Sequence, residues 1–406
     1  MLPGNSPTDY PPPRIFISAA EPSGDRHAAA LIQAVRTLET RASFWGVAGP
    51  LMQQAGCEAV DDFTQRSAML LGAVRLAARA WRLVRQIRHR MTRDPADLAI
   101  LVDSPALHLP MARHIRAAGV PVLGYIAPQL WAWAPWRIRR LRRRVNRLAA
   151  ILPFEEEYFR GRGVDARFVG HPLVAQLRKL RADPATVNQY KEAGSPVIAC
   201  LPGSRRHVVL EVLPGQIEVA RKLAASYPRA AFLFAAADRN VAAMIRAGLT
   251  GESFRHRVEI GRNTEILAAA DLALVASGTA TLEVAWHRVP MVVMYNGSKW
   301  GYRLAGRFLI HTPHLCLVNI LSGKRAVPEF MPYYTSTDPI ADEALDLLAD
   351  EARRTAVRAD LDTVIRSLGT EDAAARTARM ALEMIRDKSA SPRPGRRRGH
   401  KPRPWA

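Results

Sequence analysis

Short apolar runs that stop at a turn signal recur along the chain, with helix-competent stretches between them. Ile15–Ala19, Phe44–Val47, Leu98–Val102, Val120–Tyr125, Ala149–Leu152 and Ala166–Val169 form a first series. Val197–Leu201, Ala230–Phe234, Leu272–Val275 and Pro290–Met294 form a second, with Arg257–Ile260, mixed in polarity, read as a further strand among them. Runs this short and continuous are strands buried on both faces, and intervening helices are the crossovers that parallel strands require. The expected fold class is therefore α/β, with two parallel, doubly wound halves. A length of 406 residues accommodates two or three domains of ~150 residues each. The expected divisions are a disordered lead over residues 1–13, a first domain over 14–174 and a second over 190–371. A helix over about 372–387 is expected to pack back on the first domain. Residues 388–406, with seven basic side chains, four prolines and no acid, are expected to be a disordered tail.

Charge narrows the class of partner less than its size suggests. The formal net charge is +21, which fits nucleic acid, an anionic membrane surface or an acidic substrate. Ser67–Arg90 has no acidic residue and sets Leu70, Val74, Trp81, Val84 and Ile87 at roughly helical spacing among Arg75, Arg79, Arg82 and Arg85. That pattern suits either a helix lying on a membrane interface or a core helix with a solvated arginine face. Arg137–Arg147 carries seven arginines beside Trp131, Trp133 and Trp136, an interleaving that also fits single-stranded nucleic acid. No recognition signature accompanies it. No apolar run approaches the ~18 residues of a membrane span. The N-terminus has no signal-peptide core, and Cys57, Cys200 and Cys316 have no metal-ligand spacing. A cytoplasmic location, with neither disulfides nor a structural metal, is the expectation.

Four loops follow strands and are expected to converge on a cleft, since open parallel sheets bind ligands at the carboxyl ends of their strands. In Glu21–Asp25, Gly24 permits close backbone approach, and Ser23 or Asp25 is placed to cap the next helix. Asp103 ends the Leu98–Val102 run and is either a cap or, in a cleft, a general base. Leu201–Arg206 carries Ser204 and Arg205, and a guanidinium there would clamp a diphosphate with paired hydrogen bonds. Val275–Glu283 turns through Ser277, Gly278 and Thr279 into a helix, aiming free backbone N–H groups at one spot that suits phosphate. Glu283, one turn further on, is placed to accept hydrogen bonds from a ribose. Taken singly, each loop is equally an ordinary turn or helix cap.

Taken together and in order, the motifs resemble those of the lipid-A-disaccharide synthases, a family of inverting glycosyltransferases. Ala20–Ala29 is similar to G-E-A-S-G-D-x-H-x-A, and Gly46–Met52 to G-[VI]-x-G-P-x-M. Tyr125–Trp133 resembles Y-[VI]-[SA]-P-x-[VL]-W-A-W; Leu152–Glu155 and Val169–Pro172 match L-P-F-E and [VI]-G-H-P. Leu201–Arg205 is L-P-G-S-R, Ala276–Glu283 is A-S-G-T-A-T-L-E, and Val318–Leu321 and Val327–Glu329 resemble P-N-[IL]-[IL] and V-P-E. The resemblance spans about Ile15 to Arg386. Ala20, Pro22, Val208 and Val318 depart from the family pattern.

The resemblance implies the GT-B fold: two Rossmann-like domains facing across a cleft. It also implies transfer of 2,3-diacylglucosamine from UDP-2,3-diacylglucosamine to the 6-hydroxyl of 2,3-diacylglucosamine 1-phosphate, giving a β-1,6-linked disaccharide and UDP. Asp103 and Arg205 would be the catalytic pair. Ser204, Arg205, Ser277, Gly278, Thr279, Thr281, Glu283, Asn319 and Glu329 would hold the donor nucleotide. Glu21, Ser23, Gly24, Asp25 and Trp131 would bind the acceptor. The implied setting is the cytoplasmic face of the inner membrane as a peripheral protein, against its anionic surface, with no cofactor, no metal and no nucleic acid, and with a homodimer left open. The alternatives are another UDP-sugar enzyme of this fold, a 2-epimerase or the peptidoglycan N-acetylglucosaminyl transferase, and more remotely a basic nucleic-acid-binding protein.

Overall fold

The computed structural model describes residues 11–62, 73–297 and 312–390. The first half holds strands β1 (Arg14–Ala19), β2 (Ser43–Val47), β3 (Cys57–Asp61), β4 (Leu98–Val102), β5 (Val122–Tyr125), β6 (Arg147–Ala150) and β7 (Ala166–Phe168). They form one sheet in the order β3-β2-β1-β4-β5-β6-β7, parallel throughout. The second half holds β8 (Val197–Leu201), β9 (Ala231–Ala236), β10 (Arg255–Ile260), β11 (Leu272–Ala276), β12 (Met291–Met294) and β13 (Glu329–Phe330). Its sheet is also parallel, in the order β10-β9-β8-β11-β12-β13. Each sheet has the doubly wound order in which the first strand lies beside the fourth. The chain reverses direction across the sheet at that junction, which opens a crevice beyond the strand tips.

Burial explains why these strands are legible in the sequence. Every residue of β4, β8, β9, β11 and β12 is buried, so each reads as an unbroken apolar run. The edge strands β3 and β13 do not, and both lie outside the runs. β6 begins two residues before the Ala149–Leu152 run, because its first residue is Arg147, ion-paired to Asp165 and to Glu383. Leu152 instead leads into the helix Pro153–Arg160.

The C-terminal helix, Ala373–Ala390, returns to the first half. Ala373, Ala378, Ala381 and Met384 are buried there with Ile15, Ile17 and Leu31, and Glu383 pairs with Arg147 and Arg167. In the other direction Trp131, Ala132, Leu152 and Val174 of the first half join the core of the second. The two halves therefore share packed side chains beneath the cleft. Residues 1–10 of the lead, 63–72 of the basic stretch and 391–406 of the tail, with the side chains of Val74, Arg75 and Trp133, lie outside the described residues.

Candidate active site

A cavity of about 480 Å³ lies at the β8/β11 junction. Leu201, Gly203, Ser204 and Arg205 reach it from the end of β8, and Ala276, Ser277, Gly278, Thr279 and Glu283 from the end of β11. Two glycines make these turns possible. Gly203 has φ +110°, and a Cβ there would meet Val208 Cγ1 at 2.6 Å. Gly278 has φ +132° with open space where a side chain would stand, so the backbone is bare toward the cavity. Arg205 directly precedes the helix Arg206–Ser226, and no side chain caps that helix. The leading N–H groups of a helix this long lack intrahelical partners and carry its positive dipole end. Thr279 likewise precedes Ala280–Trp286 without a side-chain capping bond, so the capping chemistry expected of Ser277–Thr279 is not used.

Glu283 is half-buried at the cavity wall. Burial raises its carboxyl pKa, and a hydrogen bond from Asn263 Nδ2 at 3.4 Å offsets part of the rise. Its remaining lone pairs suit hydroxyl donors. Asn263 follows β10, lines the cavity, and was not among the motifs. Arg26, also missed, reaches this cavity from the first half; it occupies the variable position of the first motif, so the motif carries no signal for it.

Across the gap, Asp103 caps the tip of β4. It and Ser104 both have left-handed backbone, φ +54° and +47°, a conformation that costs a non-glycine residue about 1 kcal/mol or more. Burial raises the Asp103 pKa; the Ser104 N–H and the positive charge of Arg205 pull it back down. A Cβ added at Gly24 would stand 3.4 Å from Ala19 Cβ and 3.8 Å from Val102 O, so the start of the next helix lies close over the tips of β1 and β4. Glu21 and Ser23, exposed at the start of helix α1 (Pro22–Leu38), are thus held at the β1/β4 tips beside Asp103. Pro22 departs from the motif without strain, since it occupies the first helical turn, where a missing N–H costs nothing.

Several expected ligand residues are occupied elsewhere. Asp25 is 3% exposed and accepts from the N–H groups of Leu51 and Met52, each at 3.0 Å. It therefore caps the helix Pro50–Gln54 rather than its own helix. Trp131 is buried, its indole N–H donating to Glu155 Oε1 at 3.1 Å and its ring meeting Phe154 edge-on at 5.0 Å. Burial pushes the Glu155 pKa up to about 7, against donors Trp131, Leu152 and Ile151 that favour its ionised form. Thr281 is fully buried and donates to Gly278 O at 2.8 Å, so it braces the turn. Asn319 is fully buried and exchanges two 2.9 Å hydrogen bonds with the Val327 backbone. Glu329 accepts from Cys316 N at 2.9 Å and contacts His314 Nδ1 at 3.2 Å. None of these five lines the cavity. Among the described residues, no three His, Cys, Asp or Glu side chains gather as a metal site.

The basic stretches divide between core and surface. On the helix Ala73–Arg93, Leu83, Ile87 and Met91 are buried, so part of the apolar stripe is core. Trp81 is 64% exposed, beside Arg85 at 5.8 Å. Trp136 is 59% exposed, next to the exposed Arg139, Arg140, Arg142 and Arg143. No helix of the described residues is long and apolar enough to cross a membrane.

Comparisons with known proteins place this architecture. The family model described as lipid-A-disaccharide synthetase matches residues 15–384. A lipid-A-disaccharide synthase of Geobacter sulfurreducens is 35% identical over 92% of this chain and 97% of its own length. Among solved structures, the glycosyltransferase of kitacinnamycin superposes with a TM-score of 0.62 at 16% identity, covering 93% of this chain and all of that one. The S. aureus MnaA–UDP co-structure gives 0.60 at 10% identity, covering 92% of this chain and 97% of that one. At such identities the structures speak for the fold alone, and that fold is GT-B. With a family model running through both sheets and a relative of full length, the chain is a glycosyltransferase and belongs to the lipid-A-disaccharide synthetase family.

Proposed function

We propose that the protein is a lipid A disaccharide synthase that uses the β8/β11 cavity for the UDP of UDP-2,3-diacylglucosamine and the β1/β4 crevice for 2,3-diacylglucosamine 1-phosphate. Asp103 removes the proton of the acceptor 6-hydroxyl. The freed oxygen attacks the donor's anomeric carbon from the face opposite UDP, the bond from that carbon to the diphosphate oxygen breaks, and UDP leaves with the electron pair. One displacement inverts the centre and gives the β-1,6 linkage. Arg205 and the backbone at Ser204 and Ser277–Thr279 neutralise charge on the departing diphosphate, a task that needs fixed donors in a partly dried site. Glu283 accepts from the ribose. No metal is required in this scheme.

The observation that carries the proposal is the cavity at the β8/β11 tips, where Ser204, Arg205, Ser277–Thr279 and Glu283 meet and which Arg26 reaches from the first half. Trp81 and Trp136, each flanked by exposed arginines, supply amphipathic contacts to an anionic bilayer surface, and the proposed location is the cytoplasmic face of the inner membrane. Asn319 and Glu329 act indirectly in this scheme, by fixing the loops behind the donor side. The test is product analysis by mass spectrometry with both diacylated substrates. A tetraacylated disaccharide monophosphate and an equivalent of UDP are expected. Turnover of UDP-N-acetylglucosamine without any acceptor would instead identify an epimerase.

A further inference from the structure

Asp103 holds a strained backbone, and something must hold it there. Its N–H donates to Tyr125 O on β5 at 2.9 Å, which fixes one side of the residue. On the other side, the Asp103 carbonyl lies 2.6 Å from Nδ1 of His108. His108 belongs to the helix that follows β4, Pro105–Ala117, and is 3% exposed. Its second ring nitrogen, Nε2, lies 2.9 Å from Oγ of Ser18, a fully buried residue of β1. We propose that His108 is a positioning residue for glycosyl transfer, tying the Asp103 carbonyl to Ser18 so that the Asp103 carboxylate faces the cleft.

The partners fix the hydrogen-bond directions. A carbonyl oxygen only accepts, so Nδ1 carries the proton and donates to Asp103. Nε2 is then the acceptor, and Ser18 donates its hydroxyl proton to it. Burial pushes the His108 pKa down to about 4, so the ring is neutral and this single tautomer satisfies all three groups. The relay spans the junction where β1 lies beside β4, the place at which the first sheet opens. Without the Nδ1 bond, the Asp103 carbonyl loses its side-chain anchor, and the residue keeps only its N–H bond to Tyr125 O. The carboxylate is then free to swing by the ~1 Å that costs positioned catalysis on the order of a hundredfold.

The inference rests on Asp103 being the base, and two isosteric changes separate it from simple core filling. In His108→Asn the amide nitrogen stands near the Nδ1 position and still reaches the Asp103 carbonyl, while the bond to Ser18 is lost. In His108→Gln the amide stands near Nε2, keeping Ser18 and losing Asp103. Both variants, wild type and Asp103→Asn are compared for kcat, KM, UDP affinity and Tm. His108→Gln is expected to lose roughly 10- to 100-fold in kcat, with UDP affinity unchanged. His108→Asn is expected to turn over at least about ten-fold faster than His108→Gln, although both lose one hydrogen bond and comparable Tm. Equal kcat in the two variants, or losses that follow Tm, overturns the positioning role. Normal turnover in Asp103→Asn overturns the base assignment instead, whatever His108 does.

Discussion

Asp103→Asn is expected to lower kcat by about three orders of magnitude, the upper part of the range for removing a general base, while UDP binds as before. The change is chosen on backbone grounds. Asp103 and Ser104 are consecutive left-handed residues, and asparagine tolerates that conformation best among residues with a side chain. Alanine would add strain of about 1 kcal/mol at that position and blur the result. The amide keeps the shape of the carboxylate and lacks its charge and basicity. Steady-state rates with both acylated substrates, beside calorimetric titration with UDP, separate the two effects. Unchanged kcat would remove Asp103 from the proton transfer.

Removal of the opposing cation should be nearly as costly and should leave a different signature. Arg205→Ala is expected to lose about 10²- to 10³-fold in kcat/KM, the loss associated with one strong donor to a developing anion, and to weaken UDP binding as well. Arg205→Lys, with a point charge in place of the fork, recovers only part of this. The pH profile supplies a second readout. Arg205 holds the Asp103 pKa below the value that burial alone would give. The base works only when ionised, so activity falls as pH drops through that pKa. Without Arg205 the pKa rises, and the acidic limb of the kcat/KM profile moves to higher pH. A limb that stays in place, with full UDP affinity, would mean that Arg205 touches neither group.

What the sequence discloses follows from where each interaction is made. Buried central strands such as Leu272–Ala276 announce themselves because both faces are apolar. β3, with two exposed and two half-exposed residues in five, and the two-residue β13 carry no such mark. The cavity loops are equally legible, since Gly203, Arg205, Gly278 and Glu283 line the cavity from the strand tips that carry them. Asp25 is not: its carboxylate serves amides of Leu51 and Met52, 26 and 27 positions away, and a local pattern cannot say which backbone an acid will cap. Asn319 and Glu329 are alike in this: their motifs give no sign that they hold the Val327 and Cys316 backbones. His108 escapes notice because Ser18, its partner, lies 90 residues earlier.

The most direct measurement is a crystal structure of the protein soaked with UDP. The diphosphate should lie between the Arg205 guanidinium and the backbone of Ser277–Thr279, with the ribose hydroxyls on Glu283 and the Asp103 carboxylate facing the β-phosphate across the gap. UDP seated elsewhere, or held with Arg205 turned to solvent, would contradict the account.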